Sequence, residues 1–368
     1  MPFRRWSSFS ALLLSLGLPH LAGATAFSVT NLVTDDQTAH PAQITDANLV
    51  NPWGVSYGPT TPFWVSNNGS GTSTLYSVAP ATNVTGKANL DVTIPGAGNV
   101  TGQAFNGSGS QFGGDNFLFV SEDGTISGWR GALGSNAEIL QTASPSNVYK
   151  GAALGSAGGN EYLYAANFAT GAIDILKGAP GNPNLTSHFT DPNLPSGYAP
   201  FNIANLGGTL YVAYAVQGTG GDEQSGVGNG IVDAFDVQGQ LLGRIATGGA
   251  LNSPWGLAIA PSTFGAFAGA LLVGNFGDGT IHAYDPVTHA ALGALTDSNG
   301  DPLAIDGLWA LIPGNGGNGG STGSIYFSAG PDGETHGLFG VISALPEPGE
   351  PVLLVSALAA LAWVRRRS

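Results

Sequence analysis

A closed all-β ring, a six-bladed β-propeller of four-stranded blades, is the fold class this chain predicts. Three observations carry it. A strand built from an aromatic residue beside glycine or another small residue recurs at intervals of about 48–54 residues. Each recurrence is followed by short β-branched and aromatic runs separated by Gly, Asn and Asp, the mark of strands joined by tight turns. Between the terminal segments, no stretch keeps a helical period. Four strands at such a period make one propeller blade. Two stacked β-sandwiches would also be all-β, but sandwiches do not repeat one motif at a fixed period.

The elements follow in order. Arg4 and Arg5, the apolar run Ala11 to Leu18 and the small residues Ala22-Gly23-Ala24 have the layout of an export signal, so residues 1–24 are assigned to it. Phe27 to Val33 is an orphan strand. The first unit has Pro52-Trp53-Gly54-Val55, Phe63-Trp64-Val65 and Thr74-Leu75-Tyr76. Units two and three are degenerate in their first strands, Gly102 to Phe105 and Gly151 to Leu154. Units four, five and six resume with Pro200-Phe201-Asn202, Pro254-Trp255-Gly256 and Leu308-Trp309-Ala310. Fourth strands fit at Leu90 to Ile94, Glu138 to Leu140 and Leu241 to Ile245. The sixth unit has none before the tail. The orphan strand can supply it, closing a ring over residues 27–343 without an open edge.

The last segment, 345–368, has three parts: Pro346-Glu347-Pro348, an apolar run from Val352 to Val364, and Arg365, Arg366 and Arg367. As a helix the run reaches about 20 Å, short of a hydrocarbon core of about 30 Å. It engages a bilayer transiently, with its arginines on the cytoplasmic side. An ordinary C-terminal helix packed on the domain would show a polar face, and this run has only Ser356.

Composition narrows the partners. The chain has no cysteine, so disulfides and thiol chemistry are excluded. Without the two end segments, 22 acidic residues face five basic ones, Lys87, Arg130, Lys150, Lys177 and Arg244, a net charge of about −17. Such a surface repels nucleic acid. It suits cations, neutral glycans or a divalent-ion-rich cell surface.

Candidate chemistry sits in the loops between second and third strands, around the central channel. They hold Asn67, Glu122 with Asp123, Asn167, the long loop from Gln217 to Gly230, Asn275 with Asp278, and Asp332 with Glu334. A ring of carboxylates and amides could bind Ca²⁺ through oxygen ligands. The competing reading is turn chemistry, since Asp123-Gly124 and Asp278-Gly279 suit tight hairpins in any protein. Asp297 to Asp301 reads as a loop, lacking the final Glu of a calcium loop. The histidines show no zinc spacing. His336, with two carboxylates within four positions, is the one acid/base candidate, against a solvated hairpin residue. No GxSxG elbow or phosphate loop occurs. Trp53, Trp255 and Trp309 share one repeat position, which points to the core first and to sugar stacking second.

Two resemblances follow from these motifs. The Pro-Trp-Gly strands followed by apolar strands ending in Asn or Asp resemble NHL-type and related six-bladed propellers. The tail resembles the PEP-CTERM sorting signal of Gram-negative bacteria. The second resemblance implies an exosortase-type processing partner and delivery through the inner membrane to the cell surface or extracellular matrix. Together they imply fold and export and carry no activity over. Because no acid/base pair or nucleophile stands out, the residues favour a non-enzymatic propeller that binds exopolysaccharide or protein. The alternative is a Ca²⁺-dependent lactonase- or lyase-type propeller enzyme, whose mouth-of-channel metal would polarise a carbonyl.

Overall fold

A computed structural model describes residues 25–346. The export signal over residues 1–24, and Glu347, Pro348 and Arg365 to Arg367 of the tail, lie outside the described residues. Six antiparallel sheets stand around one axis, each starting with its innermost strand. Those first strands are Pro52–Ser56, Val100–Phe105, Tyr149–Ala157, Tyr198–Leu206, Pro254–Ile259 and Leu308–Pro313. Each touches the next, and the sixth touches the first, so the predicted six-bladed propeller is closed.

The N-terminal strand closes the ring as the sequence predicts. Phe27–Thr34 pairs antiparallel with Leu338–Ala344, the third strand of blade 6, from Phe27↔Ala344 to Thr34↔Leu338. Ile44–Thr45 then adds in parallel outside it. Phe27, Leu32 and Val33 are fully buried by this pairing. Each contributes about 1.5–3 kcal/mol of apolar burial. Closure is therefore held by packing as well as by the ladder.

Small residues in the first strands let the blades converge on the axis. A Cβ at Gly102 would lie 2.3 Å from the backbone nitrogen of Ala152 in blade 3. One at Gly54 would lie 2.6 Å from the carbonyl oxygen of Thr101 in blade 2. The space between blades is filled by larger side chains further out. Trp64 of blade 1 stacks on Phe117 of blade 2 with centroids 4.0 Å apart.

Blade 3 departs from the predicted four strands and has three, Tyr149–Ala157, Asn160–Asn167 and Ala172–Lys177. The chain that should form its fourth strand carries Pro180, Pro183, Pro192 and Pro195. Proline has no N–H to give to a ladder. The segment instead buries Leu185 and Phe189 in the apolar layer between blades 3 and 4. The turn expected in blade 6 is the tight segment Pro331–Glu334, in which Asp332, Gly333 and Glu334 take left-handed conformations (φ 55°, 64° and 68°). Asp297 to Asp301 is the predicted loop: Asp297 Oδ1 accepts the backbone N–H groups of Asn299 (2.7 Å) and Asp301 (3.1 Å).

Candidate functional site at the channel mouth

The repeat places one side chain of every first strand at the same level of the axis. In blades 1, 4, 5 and 6 these are Trp53, Phe201, Trp255 and Trp309, and with Phe168 and Phe276 they form one buried aromatic layer. Trp53 and Trp309 stack with centroids 3.5 Å apart, and Trp309 stacks on Phe276 at 4.0 Å. Trp255 meets both tryptophans edge-on, at 6.2 and 5.8 Å. This layer plugs the channel. The tryptophans are therefore core residues first, as the sequence suggests, and Trp53 and Trp309 also floor the cavity above them.

In blade 3 the same position is Lys150, which stands before Gly151 as Trp53 stands before Gly54. Its side chain is only 2% exposed. Burying an ammonium is costly unless it is paired. Here Nζ lies 2.5 Å from Glu122 Oε1 and 3.4 Å from Asp222 Oδ1. It also sits 5.3 Å from the Trp53 ring centre and 6.0 Å from that of Phe168, within cation–π range. Burial opposes the charge, but Glu122, with Glu223 and Asp222, outweighs it and holds the amine above its ordinary pKa. A lysine kept protonated in this way is a fixed cation and hydrogen-bond donor, not a nucleophile.

Glu122, Lys150, Asp222, Glu223 and Glu334 border a cavity of about 410 Å³ whose floor is Trp53 and Trp309. That volume lies within the range of about 300–1,000 Å³ typical of small-molecule sites. Neutral amides orient the carboxylates. Asn68 Nδ2 donates to Glu122 Oε2 (3.1 Å), and Asn51 Nδ2 donates to Glu334 Oε2 (2.6 Å). Asn51 Oδ1 in turn accepts the indole N–H of Trp309 (3.0 Å). Asn51 has φ 45°, a left-handed conformation that Asn tolerates better than most residues. Burial pushes the carboxyls of Glu223 and Glu334 above the usual range, and nearby acids add to the shift.

The predicted ring does not assemble as one unit. Glu122 and Glu334 reach the mouth; the other six side chains are used elsewhere. Asn67 is buried and donates to Thr72 and Thr74. Asn167 and Asn275 are buried and accept the backbone N–H groups of Val148 (3.2 Å) and Asn252 (3.0 Å), tying down the loops that enter blades 3 and 5. Asp123 accepts the backbone N–H groups of Thr125 (2.8 Å) and Ala97 (2.9 Å). Asp278 accepts from Thr280, Asn275 and Asn252. Asp332 pairs with His40 Nε2 at 2.8 Å. His336, the acid/base candidate, pairs through Nδ1 with Asp35 Oδ2 at 2.9 Å, and this contact raises its pKa. His282 is half-buried and bonded to Thr280 Oγ1. Among the described residues, no group of three or more His, Asp or Glu is arranged to hold a metal ion.

Lys150, Asn51, Asp222 and Glu223 are the mouth residues that the sequence reading did not single out. The signal for Lys150 was present: it is one of five basic residues in the propeller and sits in the frame of the tryptophan repeat. Asp222 and Glu223 lie in the long Gln217–Gly230 loop, where no repeat gives a register.

Comparison with known proteins supports the architecture and adds a family. No family model matches the chain. Among solved structures, it is similar to an α-L-arabinanase of Penicillium chrysogenum, with a TM-score of 0.55 and 11% identity over 87% of this chain and 99% of that one. It is similar to a glucose dehydrogenase at TM-score 0.51 and 12% identity, over 87% of this chain and all of the other. At such identities the likeness concerns the fold. Sequence relatives are closer. Uncharacterised protein L690 of Acanthamoeba polyphaga mimivirus is 30% identical over 80% of each chain. Protein R648 of the same virus is also 30% identical, over 86% of this chain and 80% of its own length. The chain therefore belongs to one family with these uncharacterised mimivirus proteins.

Proposed function

We propose that the chain is an exported propeller that binds a small polyhydroxy ligand, a glycan unit, at the channel mouth and does not transform it. The observation that carries this reading is Lys150, a buried ammonium set in a position the other blades give mainly to aromatic residues, beneath an open cavity. Structural economy alone would favour another tryptophan there. A fixed donor, carboxylate acceptors and an indole floor match the alternating polar and apolar faces of a sugar. Delivery to the cell surface or matrix is read from the two end segments.

The calcium-dependent lactonase reading fits less well. Asp123, Asp278 and Asp332 are spent on turns and a histidine, and the Lys150 ammonium takes the place a cation would need beside Glu122.

Binding of the purified full chain to an array of immobilised mono- and oligosaccharides tests the proposal, with Lys150→Met as the paired variant. The wild type should retain a defined subset. The variant, with unchanged circular dichroism, should bind that subset roughly 10- to 100-fold more weakly, as expected for one charged hydrogen bond. Equal binding by the two proteins, or none by either, would overturn the reading.

A further inference from the structure

The mouth carries unbalanced charge. Four carboxylates border the cavity, and Lys150 is its one cation. Glu122 is matched, with Lys150 at 2.5 Å and Asn68 at 3.1 Å. Asp222 reaches the ammonium only at 3.4 Å and is 76% exposed. Glu334 receives a neutral amide from Asn51. Glu223, half-buried at the same cavity, receives no side-chain hydrogen bond among the described residues. A second feature is independent of the acids. Trp53, only 3% exposed, lines the cavity, and its indole N–H has no hydrogen-bond partner among the described residues. A buried donor left unpaired costs about 1–3 kcal/mol, which an oxygen acceptor on a ligand would relieve.

Building on the binding reading above, we infer that the ligand of the mouth is an amine-bearing sugar. Its ammonium would sit among Asp222, Glu223 and Glu334, and its ring oxygens or hydroxyls would meet Lys150 and the Trp53 N–H. A neutral sugar would satisfy the donors but leave three carboxylates uncompensated. A bare divalent ion would satisfy the acids but meet the Lys150 ammonium and leave the indole unpaired. The net charge of the chain, −14, also draws cations toward it. The burial-raised carboxyls of Glu223 and Glu334 agree, since a bound ammonium would stabilise their ionised forms.

Calorimetric titration of the purified full chain at low ionic strength tests this, with glucosamine, N-acetylglucosamine, glucose and CaCl₂ as separate probes. Glucosamine should bind saturably, and the acetylated and neutral sugars roughly tenfold more weakly or worse. Added salt should weaken glucosamine, and Glu223→Gln and Glu334→Gln should each narrow its advantage over glucose. Glucose binding as well as glucosamine would overturn the amine inference while leaving the mouth a glycan site. Glucosamine binding unchanged in both Gln variants would place the amine elsewhere and overturn it. Saturable Ca²⁺ binding that is lost in Glu223→Gln, with no sugar bound, would overturn it in favour of a metal site. No response to any probe would remove both this inference and the binding reading.

Discussion

The two ends of the axial channel have opposite chemistry: all six first strands line one, whereas the other is lined by loop residues with Trp53, Lys150 and Trp309 of three first strands. At the mouth lie Lys150, four carboxylates and a cavity of about 410 Å³. Beyond the aromatic layer, the other end is a cavity of about 250 Å³ with no ionisable side chain in its lining. Its amides are consumed by the ring. Gln103 Nε2 donates to the Gly54 carbonyl (2.7 Å), Asn202 Nδ2 to that of Trp255 (2.7 Å), and Asn205 Nδ2 to that of Leu154 (2.8 Å). Each bond crosses from one blade to a neighbour. The lower end holds the blades together, and its polar groups are satisfied within the chain. The mouth keeps polar groups whose partners are incomplete, and incomplete satisfaction is what a ligand can act on.

The comparison breaks most severely at the residues that let the strands converge. Gly102→Ala sets a methyl 2.3 Å from one backbone atom of blade 3 and 2.7 Å from another, neither of which can swing away as a side chain would. Overpacking commonly costs about 1–3 kcal/mol, and a clash with backbone belongs at or above the top of that range. The expected loss is about 3 kcal/mol, a fall in Tm of roughly 6–12 °C by differential scanning calorimetry. Gly131→Ala, whose methyl would meet open space, should melt within about a degree of wild type. Equal melting of the two variants would mean the first strands tolerate a wider ring than their spacing implies.

How far each end was legible follows from the same distinction. The ring was legible because its requirements repeat: a small residue at Gly54, Gly102, Gly151 and Gly256, an aromatic one position before it in most blades, and a closing strand at Phe27 to Val33. Repetition fixes register, and register fixes which side chains meet. Blade 3 departs from the four-strand pattern for a local reason, since four prolines remove the donors an outer strand would need. The mouth was legible only in part. Glu122 and Glu334 were found because they sit in second-to-third-strand turns, but so do Asp123, Asp278 and Asp332, and sequence does not distinguish a carboxylate that caps a turn from one that faces a cavity. Lys150 is an exception to the repeat, and exceptions become visible only once the frame of the repeat is fixed. In this chain the degenerate first strand of blade 3 carries the functional candidate.

A smaller effect is expected from removing that exception. Lys150→Met removes the ammonium that sits over the Trp53 and Phe168 rings and leaves Glu122 without its counter-charge. Breaking a fully buried pair costs about 3–5 kcal/mol. Glu122 keeps the Asn68 amide and is 22% exposed to water, so about 1–3 kcal/mol is expected. Thermal unfolding of the single variant, of Glu122→Gln and of the double variant forms a cycle. The double variant should recover part of the loss, because a neutral amide replaces the stranded carboxylate. A double variant that loses the sum of both single changes would show that the two side chains are not coupled and that the mouth is held by packing alone.

The smallest expected effect separates the two kinds of carboxyl most directly, because its sign differs between them. Burial raises the pKa of Glu334, Asn51 offsets part of the shift, and Glu122 adds to it. The folded protein therefore holds this proton more tightly than the unfolded chain does. The stability linked to Glu334 is complete below the ordinary glutamate value of 4.5 and is lost as pH rises through the higher folded value. Glu334→Gln removes that loss, so the variant should melt above wild type at pH 7 to 8, with the gap closing as pH falls below about 4.5. Asp278 runs the other way. Burial opposes its charge, but hydrogen bonds from Thr280, Asn252 and Asn275 prevail and hold its pKa below the ordinary 3.8. Its contribution is present above that value and is lost as pH falls through the folded value. Asp278→Asn should therefore melt below wild type at pH 7, with the gap closing only at strongly acidic pH. Melting curves of the three proteins across pH 3 to 8 give both differences. Shifts of the same sign would mean that Glu334 is satisfied within the fold as Asp278 is, and that the mouth holds no charge for a ligand to relieve.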